Sequence, residues 1–170
     1  MVIFTIGHST RQLKDFIDTL RSFEIKKIID VRTIPRSKHN PQFNREKLPG
    51  SLKKAGIGYK HFPGLGGLRY PRKDSPNTGW RNNSFRGFAD YTLTEEFKEN
   101  LGRLIDLSAR RAPVALMCAE SLPWRCHRSL IADALLVRGI TVNHIMGKKS
   151  FREHSITPWA KVHGHRISYA

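Results

Sequence analysis

Between Met117 and Arg128 the chain reads MCAESLPWRCHR. These residues include both cysteines of the protein, Cys118 and Cys126, together with Glu120, Arg125, His127 and Arg128. Several chemistries fit such a group. Cys126 falls near the start of a helical pattern, where the positive end of the helix dipole favours a thiolate, and Arg125, His127 and Arg128 add to that field. Cys126 is therefore the better candidate nucleophile and Cys118 a second thiol beside it. The plain alternative is packing, because free cysteine is among the most buried residue types. Backbone N–H groups at the helix start, with Arg125 and Arg128, would also cradle a phosphate. Glu120 is the candidate general acid or base, with His8 sharing that work or positioning a substrate.

Other readings of the same residues fit less well. A phosphate-loop cysteine enzyme needs an arginine after five intervening residues, and Arg125 comes one position late from Cys118. A rhodanese-like loop would draw on the Asp-x-Arg of IIDVR, but the glycine-rich curl around its cysteine is missing. A zinc site could recruit Cys118, Cys126, His127 and His8, yet the cysteines lack the close spacing of a zinc knuckle. No metal and no cofactor is expected. Structural roles compete at each position: an ion pair from Glu120 to Arg125, Arg128 or Arg32, a turn held by the ring of His8, and an Asp30–Arg32 pair bracing a strand end.

The elements that must position these groups alternate. Apolar runs at 2–6, 26–31, 59–62, 113–118 and 140–145 read as strands. Helical spacing follows Ser9 or Thr10, recurs over 45–56 with an interruption or restart at Pro49, runs from a capping box at Thr92-Leu-Thr-Glu95 to about Arg111, and returns over 124–137. The stretch 63–85 is dense in turn formers and reads as a long loop. Alternating strands and helices predict a single Rossmann-like α/β domain of three layers, residues 1–146, with a mostly parallel sheet and long loops. A basic extension, 147–170, packs on it or trails from it. In such sheets ligands bind beyond the carboxyl ends of the strands. There Gly7-His8-Ser9, Asp30-Val31-Arg32 and Cys118-Ala119-Glu120 should converge.

Thirty Lys plus Arg against fourteen Asp plus Glu give a net charge of +16. From Arg32 to Arg86 there are thirteen basic residues and two acidic ones, so this segment alone supplies +11. Such a field captures polyanions, and the segment also holds Phe43, Tyr59, Phe62, Tyr70, Trp80 and Phe85, on which bases can stack. Nucleic acid, DNA or RNA, is the expected partner, with a phosphorylated small molecule as the alternative. No run is long enough to cross a bilayer and the amino terminus lacks a signal-peptide pattern, so a cytoplasmic protein without membrane contact is expected, as monomer or homodimer. Two cysteines are too few for a disulfide framework.

Four separated stretches, TIGHS at 5–9, IIDVRTIPRSKHNPQFN at 28–44, YKHFPGLGGLR at 59–69 and MCAESLPWRCHR at 117–128, resemble the domain of unknown function 488 family. The resemblance covers about residues 2–146 and implies a compact α/β domain without fixing a reaction. Some members carry DNA-repair-type labels, which agree with the basic surface. The family motifs fall on His8, Ser9, Asp30, Arg32, Pro35, Phe43, His61, Leu65, Gly66, Gly67, Cys118, Glu120, Pro123, Cys126, His127 and Arg128. The resemblance thus adds His61, Gly66 and Gly67 to the crevice, the glycines as points where backbone turns close to a ligand.

The leading expectation is an enzyme of DNA repair or of base or nucleotide modification. In it Arg32 and Arg128 hold phosphate, Glu120 and His8 move protons, and Cys118 or Cys126 attacks. Ser9, Asp30, His61, Gly66, Gly67, Arg125 and His127 complete the substrate-binding set. A nucleic-acid-binding module without turnover and a small-molecule enzyme for a nucleotide or phosphorylated metabolite are the alternatives.

Overall fold

The computed structural model describes residues 1–110 and 112–170. Strands β1 (Val2–Gly7), β2 (Lys27–Asp30), β3 (Gly58–His61), β4 (Val114–Cys118), β5 (Thr141–Gly147) and β6 (Ser150–Glu153) form one sheet in the order β3-β2-β4-β1-β5-β6. All neighbours are parallel except β5 and β6. Every residue of β4 is buried, as expected of a central strand covered on both faces.

Alternation along the strands sorts their side chains between two helix layers. Ile6, Ile28, Ala115, Met117 and Ile145 face α1 (Leu13–Ser22) and α2 (Leu48–Lys54), which contribute Phe16, Leu20, Leu48 and Leu52. Ile3, Ile29, Leu116, Cys118 and Val142 face α3 (Asn83–Tyr91), α4 (Glu95–Ser108) and α5 (Arg128–Leu136), which contribute Phe88, Phe97, Leu101, Leu130 and Ile131. The result is a three-layer, Rossmann-like α/β fold. The chain leaves β1 toward one layer and β4 toward the other, so the adjacent β1 and β4 form a topological switch point.

The register brings Gly7 opposite Cys118 and Asp30 opposite Met117, so the three expected strand ends converge. The β1 and β4 loops are nonetheless zipped together: His8 N–H donates to the Cys118 carbonyl and Ser9 N–H to that of Ala119, both at 2.9 Å. A Cβ on Gly7 would overlap the Glu120 carbonyl, so only glycine permits this approach. The open space therefore lies to one side, above the ends of β2 and β4.

Several local expectations need correction. Ser9 does not cap a helix; it sits at φ 48°, and α1 begins at Leu13 without a side-chain cap. Thr92 terminates α3, and Thr94 caps α4 by accepting the Phe97 N–H at 3.2 Å. The stretch 63–85 is not all loop, because α3 starts at Asn83, with Asn82 Oδ1 accepting from Ser84 N–H and Phe85 N–H. The helix expected from 124 begins at Arg128: Pro123–Arg125 is a single 3-10 turn and Cys126 is extended. After residue 147 the chain adds β6 to the sheet edge, then a ribbon of β7 (Lys161–His163) and β8 (Arg166–Ser168), and buries Ile167 and Tyr169 in the core. No helix among the described residues is long and apolar enough to cross a membrane.

Candidate functional site

Cys126 lies between the 3-10 turn and the first residue of α5. Its Sγ is 2.8 Å from Cys118 Sγ, at the end of β4, and both residues are buried. His127 supplies the next contact. Its Nε2 donates to the Val31 carbonyl at 2.9 Å, which leaves Nδ1 as the nitrogen that shares a proton with Cys126 Sγ at 3.4 Å. Arg128 N–H, at the start of α5, points at the same sulfur from 3.4 Å. This N–H of the helix terminus is thus engaged by the cysteine.

Arg128 completes the group from below and is 0% exposed. It donates to Thr5 Oγ1 at 3.1 Å and to the Glu120 carbonyl at 2.6 Å, while its Nε has no partner. Among the described residues no carboxylate pairs with it, although buried charges need a counter-charge. Ionised Cys126 fills that role. Burial opposes ionisation of Cys126, but the Cys118 hydrogen bond, His127 and Arg128 together hold its pKa well below the ordinary thiol value. Burial and the neighbouring Cys126 push the Cys118 thiol well above it. Cys126 is thus the thiol more readily ionised, and Cys118 the one that keeps its proton and donates to it.

The Thr5 hydroxyl accepting from Arg128 donates to His144 Nδ1 at 2.6 Å. His144 Nε2 donates to His154 Nδ1 at 2.9 Å, and His154 Nε2 to Asp133 Oδ1 at 2.7 Å. Tyr169 O–H closes on the other Asp133 oxygen at 2.8 Å. Donors alternate with acceptors along the chain, which fixes the direction of each bond and ties Arg128 to the carboxyl-terminal segment.

Both cysteines line a cleft of about 460 Å³. Its walls are Thr33, Ile34 and Arg36 after β2, Gly67 and Leu68 of the long loop, Asn82, Ser84 and Phe85 at the start of α3, and Ala119, Glu120 and Arg125 beside the cysteines. Ile34 and Leu68 are exposed apolar side chains at its mouth. Arg125 is exposed and in no ion pair among the described residues, and Arg36 makes only an exposed pair with Glu46. Gly67 faces the His127 ring: an added Cβ would stand 2.5 Å from Nδ1.

The sequence candidates divide at this point. Arg32, Gly67, Cys118, Glu120, Arg125, Cys126 and His127 line the cleft. Arg32 does so with its charge already engaged: Nε and Nη2 donate to the two Asp30 oxygens at 2.9 and 2.8 Å, and Nη2 also reaches the Phe43 carbonyl. Tyr59 donates to the same carboxylate. Asp30 and Arg32 are a buried brace, and Asp30 is not in the cleft lining.

His8 lies beneath, stacked on Phe43 at 4.4 Å, with Nδ1 donating to the Ser9 carbonyl and Nε2 accepting from Arg32. Burial, with the Arg32 charge, lowers its pKa to about 4, so it is a neutral structural ring. His61 donates to the Arg32 carbonyl at 2.7 Å outside the cleft. Arg128 is a buried counter-charge, not a phosphate ligand at the surface. Gly66 and Gly67 have negative φ; they serve close packing, Gly66 against Thr33, not a glycine-only turn. Glu120 is exposed on the rim, in no ion pair among the described residues, with its carboxylate near Leu122 N–H at 3.4 Å.

Sequence reasoning missed Thr33, Ile34, Arg36, Leu68, Asn82, Ser84 and Phe85 as cleft walls. The signals were the dense run of turn formers, which carries Leu68, Asn82, Ser84 and Phe85, and the basic, aromatic-rich character of 32–86, which spans all seven. Nothing local marked Thr5, His144, His154 or Asp133. No group of three or more His, Cys, Asp or Glu side chains that could hold a metal ion occurs among the described residues.

Fold and site together define a class: a Rossmann-like α/β domain with a buried pair of free cysteines at the carboxyl-end side of its parallel strands. The family described as Domain of unknown function DUF488 matches residues 12–135, and the chain belongs to that family. No curated protein and no solved structure was found to match it.

Proposed function

We propose that this chain is a thiolate-dependent enzyme acting on nucleic acid, in repair or base modification, with one nucleotide seated in the cleft. The observation that carries the reading is the provision made for a charge on Cys126: His127 Nδ1, the α5 N–H and a buried arginine without a carboxylate. A packing cysteine needs none of these. The cleft is within the usual volume range of small-ligand sites. Ile34, Leu68 and Phe85 offer apolar surface to a base, and Arg36 and Arg125 offer cations to its phosphates. A net charge of +16 concentrates polyanions around the molecule.

In this reading Cys126 Sγ forms a bond to an electron-poor carbon of the base. His127 Nδ1, having taken the thiol proton, returns it to the base atom that gains the electron pair. Glu120, at the solvent rim, is the general acid or base for the outgoing or incoming group. A base must leave its stack to reach the sulfur, so single strands bind in preference to duplex.

The test is protection of Cys126 from iodoacetamide, followed by mass spectrometry across a salt series. Only unbound protein reacts, so a single-stranded oligonucleotide at about ten times its Kd should slow labelling about tenfold, with protection fading as salt rises. Binding without protection would make the chain a binding module whose cysteine lies off the ligand path. Equal protection by a mononucleotide at every salt concentration would favour a small phosphorylated substrate.

A further inference from the structure

We propose that Cys126 and Cys118 form a redox pair that reduces hydroperoxides, closing to an intramolecular disulfide that thiols reopen. This activity goes beyond the reading above and shares with it only the Cys126 thiolate. Three observations carry it. The sulfurs come from separate segments, the end of β4 and the turn before α5, yet lie 2.8 Å apart as free thiols. Their environments differ, which gives each a role: Cys126 is held as the anion by His127 and the α5 N–H, while Cys118 keeps its proton, directed at Cys126 2.8 Å away. Both cysteines line the same cleft.

The alternative, two thiols merely packed, leaves the charge of Arg128 without a counter-charge among the described residues. A guanidinium at 0% exposure with an unpartnered Nε is costly unless an anion stands beside it.

Each step balances. Cys126 thiolate attacks the distal oxygen of ROOH, an S–O bond forms as the O–O bond breaks, and the alkoxide takes the proton that His127 Nδ1 had drawn from the thiol. The products are Cys126 sulfenic acid and ROH. Cys118 then attacks Cys126 Sγ, its proton joins the departing hydroxide, and water leaves as the disulfide forms. Two molecules of a low-molecular-weight thiol reduce that disulfide and are themselves oxidised to one disulfide. Closing the bond removes the anion beside Arg128. The oxidised site therefore holds an uncompensated buried cation, which favours reopening.

The size of the opening selects the oxidant. Cys126 is 7% exposed and Cys118 3%. A hydroperoxide needs one free approach to sulfur, whereas a disulfide substrate must bring a second sulfur and its carbons into line behind the first.

The experiment uses the full chain, reduced, with hydrogen peroxide and cumene hydroperoxide at pH 7. An ordinary thiol is only about 3% ionised there, so a fully ionised one gains about 30-fold in thiolate, trimmed by the weaker nucleophilicity of a low-pKa sulfur. The expected rate is about tenfold above free cysteine, with a loss of about 2 Da that dithiothreitol reverses. C118S should stop at a sulfenic acid trapped by dimedone, and C126S should not react; circular dichroism checks that both are folded. Rapid alkylation of Cys126 without disulfide formation under peroxide would overturn the proposal and leave the nucleic-acid reading intact. A rate no higher than free cysteine for both reagents would overturn both. Faster closure by oxidised glutathione than by either peroxide would overturn the assignment to hydroperoxides.

Discussion

A methyl group on Gly67 would stand 2.5 Å from His127 Nδ1 and 2.7 Å from its Cγ. The glycine is there to let the ring lie flat against the loop. With that space the ring spans from the Val31 carbonyl to Cys126 Sγ. Gly67→Ala must push the imidazole off one of its two contacts. We expect the labelling rate of Cys126 at pH 7 to fall about tenfold toward that of an ordinary thiol. Overpacking at this position should also cost about 1–3 kcal/mol in urea unfolding. An unchanged pH profile of labelling would mean that His127 does not set the thiolate. The other residues at the strand ends belong to a brace: Asp30, Arg32, Tyr59, His8 and Phe43 hold one another and hold the loop after β2 in place.

Among the elements, α3 and the 3-10 turn before α5 build the cleft. The turn ends in an extended Cys126, so the sulfur sits ahead of the α5 terminus and not inside the helix. Helix α3 presents Ser84 and Phe85 to the opposite wall, and Asn82 fixes where it starts. Asn82→Ala leaves the N–H groups of Ser84 and Phe85 without their acceptor and should cost about 1 kcal/mol. Hydrogen exchange should quicken across residues 83–91 and stay unchanged in β4. If α3 exchanges at the wild-type rate, its start is fixed by packing of Phe88 and not by the cap.

At the scale of the molecule, burial holds His8 and His144 in their neutral form. Burial, with Arg32, brings the pKa of His8 to about 4, and burial, with His154 and Arg128, brings that of His144 to about 3. Both lie below the ordinary 6.5, so as pH falls the unfolded chain takes up protons first. Stability from these rings is complete above about pH 6.5 and is lost as pH drops from there toward 4. For His8 the loss reaches about 3 kcal/mol. Urea unfolding at pH 7, 5.5 and 4 should record the decline, and His8→Gln should have a shallower acid limb. A flat stability between pH 6.5 and 4.5 would mean that the rings are not held neutral by burial. The same network draws residues 150–170 into the domain, because His154 and Tyr169 both end on Asp133.

The sequence by itself determined the layered α/β fold, the five parallel strands of its sheet and the side of the sheet on which polar groups gather. These follow from short-range patterns: apolar runs of strand length, helical spacing, and turn residues where chains reverse. It also marked Cys126, because a cysteine before a helix and among basic residues is a local feature. Tertiary structure decided the rest. Only the insertion of β4 between β1 and β2 sets Cys118 beside Gly7 and within reach of the chain after Asp30. Only the packing of α5 under the 119–122 turn buries Arg128, and only the Val31 carbonyl settles which nitrogen of His127 meets the sulfur. Burial and hydrogen-bond partners depend on which segments become neighbours in space. Residue types separated by tens of positions carry no local sign of that, which is why His8 reads as a reactive group in sequence and is a neutral brace in the fold.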